Sequence, residues 1–306
     1  MSLIGEVEDL KITCNVKDLV RSMAKTAFNA RRLGEALEIL EKIVSECELR
    51  FLTLAGAVIP AGLRRILNEV IERKFFNIVV TTGANVTHDL LMAFGARHYR
   101  LSWLYNDVEL KRKGLCRIHD VALEIESFRF MEKELKNILE SMEDKTYSTH
   151  EFLRLLGLKL KDDESFLKRA SLNNCMIIVP AFYDSILGVQ VWSLTQMRKL
   201  KVDEKLDLNY LVDLQFNAKK GGHKTGILIV GGGVPKNFAL QSALIADKPF
   251  DYAVQITIDP PYYGGLSGAT LDEAVSWSKV AEEVKHSTIY CDFTIALPLL
   301  FLALLC

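Results

Sequence analysis

The chain lacks the marks of several large function classes. Its six cysteines, Cys14, Cys47, Cys116, Cys175, Cys291 and Cys306, form no CxxC pair. Its six histidines show no HExxH or other ligand-like spacing, so no metal site is expected. Scattered thiols suit a reducing cytoplasm, where they stay free and are expected to be mostly buried. Charge of one sign is also missing: 38 basic against 39 acidic side chains leave a formal net charge of −1. Nothing in that balance supports nucleic acid or an anionic membrane as the main partner, and Lys111–Lys113 reads as solvated surface. No apolar run reaches the ~20 residues that span a bilayer. The run TIALPLLFLALLC from Thr294 is interrupted by Pro298 and is expected as a buried terminal helix. The start, MSLIGEVEDL, is too acidic for a signal peptide. No linker, repeat or low-complexity tract divides the 306 residues, so a soluble single domain over 1–306 is expected.

What is present is a repeated strand-then-helix pattern. Short β-branched runs begin at Phe51 (FLTLAG), Asn77 (NIVVTTGAN), Cys175 (CMIIVPA), Gly226 (GILIVGGG), Tyr252 (YAVQITI) and Thr288 (TIYCDF). Strands apolar on both faces, alternating with helical patterns, indicate an α/β fold with a parallel sheet and helices on both faces. Ligands in such sheets bind beyond the carboxyl ends of the strands. The small-residue turns AGA, TTGAN, GGG and YYGGLSG should therefore converge on one rim. Residues 1–50 read as a helical segment, and about 110–172 as a long, charged helical insertion beside the sheet.

Several residues at those turns suit chemistry. Gly231, Gly232 and Gly233 let backbone N–H groups approach a phosphate at the start of a helix; a tight turn without ligand is the alternative. Thr81, Thr82 and Gly83 offer donors of the same sort, and several such turns on one rim favour a dinucleotide. Asp184 and Asp292 follow predicted strands and could accept from ribose hydroxyls or hold an amine, with helix N-capping as the rival account. In LDEAVSWSKV, Glu273 and Trp277 lie four apart on one helix face, and an indole beside a carboxylate suits an alkylammonium. Lys279 lies off that face on an ideal helix, so either the helix ends near Ser278 or another element or subunit closes the pocket around it. A lysine in a partly dry pocket can attack an imine or carbonyl as the free amine, although most lysines near a helix end are surface.

VTTGANVTHDL, VPAFYDSILG, ILIVGGGVPKN, YYGGLSGATLDEAVSWSK and IYCDFTIALPLL occur in this order, and together they resemble the deoxyhypusine synthase family. The resemblance implies a Rossmann-like fold, a homotetramer of tight dimers, and NAD at the subunit interface. It implies oxidation of spermidine, an aminobutyl imine on an enzyme lysine, and transfer to a lysine of translation initiation factor 5A in hypusine biosynthesis. On that pattern Lys279 matches the nucleophile. Glu273 and Trp277 match the amine pocket, as does Asn237, which stands where the eukaryotic enzyme has histidine. Thr82, Asp184, Gly231–Gly233 and Asp292 match NAD-contacting positions. Val189, Tyr263 and Leu266 replace aspartates of the eukaryotic enzyme, which weakens the polycation side of the site. The resemblance therefore also admits a homospermidine synthase with a diamine acceptor such as putrescine, or a catalytically weak NAD-binding paralogue.

Overall fold

A computed structural model of the chain describes residues 5–102, 104–282 and 285–306. Each of the six β-branched runs forms one strand of a single sheet. These are β1 (Cys47–Leu54), β2 (Ile78–Thr81), β3 (Met176–Ile178), β4 (Lys224–Val230), β5 (Tyr252–Thr257) and β6 (His286–Tyr290). Their order across the sheet is β6-β5-β4-β1-β2-β3. The pairs β1/β4, β4/β5 and β5/β6 are parallel, placing Leu52 and Val254 on either side of Leu228. All four residues of β2 are buried, and so is β4 from Thr225 onward, as expected of strands covered on both faces. The order is that of a doubly wound Rossmann-like sheet, and it reverses between β1 and β4. A ligand crevice is thereby set at the carboxyl ends of these two strands, Leu54 and Val230.

The chain groups into two compact units, Met1–Gly56 with Lys74–Val80 and Leu208–Cys306, and Ala57–Arg73 with Thr81–Asp207. In the first, Phe51 meets Phe250 edge-on at 5.1 Å between ring centroids. The helix Phe28–Glu46 buries Leu33, Leu37, Leu40 and Ile43. It stops at Glu46 because Cys47 turns to extended geometry, so β1 starts four residues before the expected Phe51 and the N-terminal helical segment ends short of residue 50. The C-terminal run forms the helix Phe293–Leu305, with Leu297, Leu300 and Phe301 buried. Among the described residues no helix is long and apolar enough to cross a membrane. Of the six free cysteines only Cys47 and Cys175 are buried, fewer than expected; burial pushes both thiols up to about 12.

In the second unit the stretch 110–172 is not helical throughout. CRIHDVALE forms an antiparallel hairpin, Leu115–Ile118 against Val121–Glu124. Its two-residue turn is possible because His119 adopts a left-handed backbone, φ 51. This unit is tied internally by Asp89, which is fully buried. The carboxylate accepts from Arg64 Nε at 2.6 Å, Ser165 Oγ at 2.7 Å, and the N–H groups of Phe166 and Leu167 at 2.9 Å. It thus caps the helix Phe166–Leu172 and neutralises a buried guanidinium at once.

His88 and His98 in the same unit share a hydrogen bond of 3.0 Å between Nδ1 and Nε2. Burial pushes His88 down to about 4, reinforced by the charge on His98. Burial and then Arg64 push His98 down as well. Both groups are harder to protonate folded than unfolded. The unfolded chain therefore takes up protons first, and stability is lost as pH falls from about 6.5 towards 4. Chemical denaturation across that window should show the loss, and His88→Gln with His98→Asn should flatten it.

Candidate active site

The glycine turn follows β4 within the first unit. Gly231 (φ 75) and Gly233 (φ 60) take left-handed backbones, and the chain then enters the helix Gly233–Ile245. A Cβ on Gly232 would lie 2.3 Å from Ser267 Cα, so only glycine lets the 264–270 loop pack on this turn. A Cβ on Gly231 would lie 3.3 Å from Ala55 Cβ, and one on Gly56 would meet the Phe293 ring at 2.5 Å. Thus the turns after β1, β4, β5 and β6 meet where the strand order reverses.

The four candidate helix starts differ. Asp292 caps the helix Phe293–Leu305, its Oδ1 accepting from Thr294 N at 2.7 Å and Thr294 Oγ1 at 2.5 Å. Thr82 caps the helix Gly83–Ala93 in the second unit by accepting from Asn85 N at 3.4 Å. There Thr81 Oγ1 is buried and accepts from Asn85 Nδ2, while a Cβ on Gly83 would strike Ser185 Oγ at 2.4 Å. Asp184 does not cap: Ser185 does, accepting from Gly188 N, and the Asp184 carboxylate is exposed. The helix Gly233–Ile245 alone among these starts has no side-chain cap. Among the described residues the N–H groups of Gly232, Gly233 and Val234 have no hydrogen-bond partner. This open, positively polarised end is chemically fit for a phosphate of NAD.

Lys279 is held by its backbone. Thr270 caps the short helix Leu271–Ser276, accepting from Glu273 N at 3.1 Å. The helix then closes with Ser278 N on Val275 O at 2.8 Å and Lys279 N on Ala274 O at 2.9 Å, a Schellman stop. Ser278 is left-handed, φ 53, which breaks the ideal-helix geometry and redirects the next side chain. The Lys279 carbonyl accepts from Phe250 N at 3.0 Å, tying the segment to the sheet. Half-buried Lys279 Nζ lies 3.5 Å from Asn237 Oδ1 and 5.7 Å from the Trp277 ring. Asn237 stands one helical turn after Gly233, so the amine lies beside the uncapped helix start. Glu273 is exposed and Trp277 is 60% exposed, leaving the indole as one open wall. Replacing Ser278 by glycine should relieve the left-handed strain and raise stability by about 0.5–1 kcal/mol, read by thermal unfolding.

Sequence reading passed over Lys236 and Gln255. Lys236 is 3% exposed, and its Nζ donates to Gln255 Oε1 at 3.0 Å, Leu266 O at 3.3 Å and Ala269 O at 2.5 Å. Burial pushes it down to about 8; nearby Lys279 acts in the same direction and Glu273 opposes it. The signal was available: Lys236 shares an inward stripe with Ala239, Leu240 and Ala243, and Gln255 interrupts the apolar strand YAVQIT.

The chain is similar to known proteins of one family. The family profile for deoxyhypusine synthase matches residues 18–304. Two archaeal relatives carry the name "Probable deoxyhypusine synthase 1". That of Archaeoglobus fulgidus is 44% identical over 95% of this chain and 94% of its own. That of Methanosarcina mazei is 40% identical over 98% and 94%. A solved deoxyhypusine synthase structure from Entamoeba histolytica has a TM-score of 0.64 at 20% identity, covering 94% of this chain and 92% of its own, a likeness of fold.

Proposed function

Because the chain belongs to the deoxyhypusine synthase family, we propose that it uses NAD to oxidise spermidine, that Lys279 takes the aminobutyl group as an imine while 1,3-diaminopropane leaves, and that the group then passes to a lysine of translation initiation factor 5A and is reduced there. The observation that carries this reading is the placement of Lys279: a backbone-locked amine on Asn237, beside an uncapped helix start. NAD, when bound, supplies hydride acceptance from the carbon beside an amine and hydride return at the end. The N–H groups after Gly231, Gly232 and Gly233 hold its phosphate. Asp292 keeps Oδ2 for a ribose hydroxyl, since its capping bonds use Oδ1. Thr81, Thr82, Gly83 and Asp184 are proposed for the same cofactor.

Glu273 and the Trp277 indole receive an ammonium of spermidine by Coulomb and cation–π attraction. Asn237 Oδ1 orients the Lys279 amine, and the covalent step divides one difficult transfer into two easier ones. Exposed Tyr262, Tyr263, Leu266 and Trp277 are large apolar side chains of the kind a second copy covers, and the family reading adds a homotetramer in the cytoplasm. Exposed Val189, Tyr263 and Leu266 offer no carboxylate to a polycation, and this departure from the eukaryotic pattern keeps a diamine acceptor such as putrescine as the second reading. Incubation with NAD and labelled spermidine, followed by factor 5A or putrescine, separates the two. Label on the protein factor supports the first reading; label only in small polyamines overturns it. No spermidine-dependent NADH at all leaves the weak paralogue.

A further inference from the structure

We propose that Lys236 is a positioning residue of the Lys279 site: its side chain holds the 264–270 loop on the glycine turn and so fixes the segment that presents Lys279. This rests on the aminobutyl-transfer reading for its activity arm only. An ammonium has three N–H donors, and Lys236 Nζ has three acceptors, all neutral: Gln255 Oε1, Leu266 O and Ala269 O. Two of the three lie on the loop that leads through Thr270 into the helix Leu271–Ser276.

Gln255 extends the clamp. Its Nε2 donates to Gly231 O at 3.1 Å and Ser267 O at 3.0 Å, which fixes the amide so that Oε1 faces Lys236. Ser267 Oγ donates to Asp259, and Ser267 packs on Gly232. One buried cation therefore joins the helix after the glycine turn, strand β5 and the loop before Lys279. Its neighbour in sequence, Asn237, takes Lys279 Nζ. A buried cation whose hydrogen-bond partners are all neutral carries a desolvation cost that no direct ion pair offsets, and the Coulomb pull of Glu273 is smaller than that cost. A role confined to stability would be filled better by an apolar side chain of equal length. That cost makes the role testable apart from folding.

Lys236→Met removes the charge and keeps the length. The expected result is an unchanged or raised melting temperature, with amide-exchange protection across 264–280 reduced at least tenfold. Transfer kcat should fall at least tenfold while the KM for NAD stays within twofold. Gln255→Leu, which leaves Lys236 in place but removes its acceptor, should loosen the same segment. Wild-type exchange in both variants would overturn the proposal, as would an activity loss that merely tracks a lower melting temperature. If the wild-type protein transfers nothing, the aminobutyl reading fails, and the exchange comparison still decides the role of Lys236.

Discussion

Lys279→Arg should abolish transfer, by roughly a thousand-fold or more in kcat, while NAD binding and melting temperature remain at wild-type values. Arginine keeps the positive charge and the reach towards Asn237, yet its guanidinium stays protonated and cannot act as a nucleophile. The backbone of residue 279 makes the bonds that hold the segment, to Ala274 and Phe250, so the substitution removes the nucleophile and leaves the scaffold. Spermidine-dependent NADH formation and transfer of labelled aminobutyl groups are the measurements. Transfer by the arginine variant within tenfold of wild type would show that the covalent step lies elsewhere.

The second large effect concerns stability. Asp89→Ala should cost about 3–5 kcal/mol in chemical unfolding, because it strands a buried guanidinium and uncaps a helix together. Arg64 also reaches Asp162 at 2.8 Å, which retains part of its compensation. Removing both charges, as Arg64→Met with Asp89→Leu, should cost less than Asp89→Ala alone, since no orphaned ion is left behind. A loss below about 1 kcal/mol for Asp89→Ala would mean that water reaches Arg64 readily.

Much of this was legible in the sequence. The strands announce themselves as β-branched runs because most of their residues are buried, and each run lies within a few residues of its strand. The hairpin at Leu115–Glu124 was missed because its turn uses His119–Asp120 instead of glycine or asparagine. The ambiguity over Lys279 was genuine: helical spacing put it off the Glu273–Trp277 face, and only the left-handed Ser278, a residue type that seldom signals this geometry, turns it towards Asn237. Capping could not be separated from ligand binding for Asp292 or Thr82 from sequence, because both uses favour the same residue at the same place. The geometry adds that Asp292 and Thr82 do cap, whereas the start at Gly233 is left open. Lys236 is readable as a member of the inward stripe with Ala239, Leu240 and Ala243, but the stripe does not reveal the three acceptors that hold its amine.

The central claim is that the amine of residue 279 carries the transferred group. Borohydride added to the protein with NAD and spermidine, followed by peptide mass analysis, tests it most directly. The account predicts a mass increase of one aminobutyl group on Lys279, dependent on both NAD and spermidine. An adduct on Lys236 or another lysine, or none on Lys279 in a preparation that forms NADH, would contradict it.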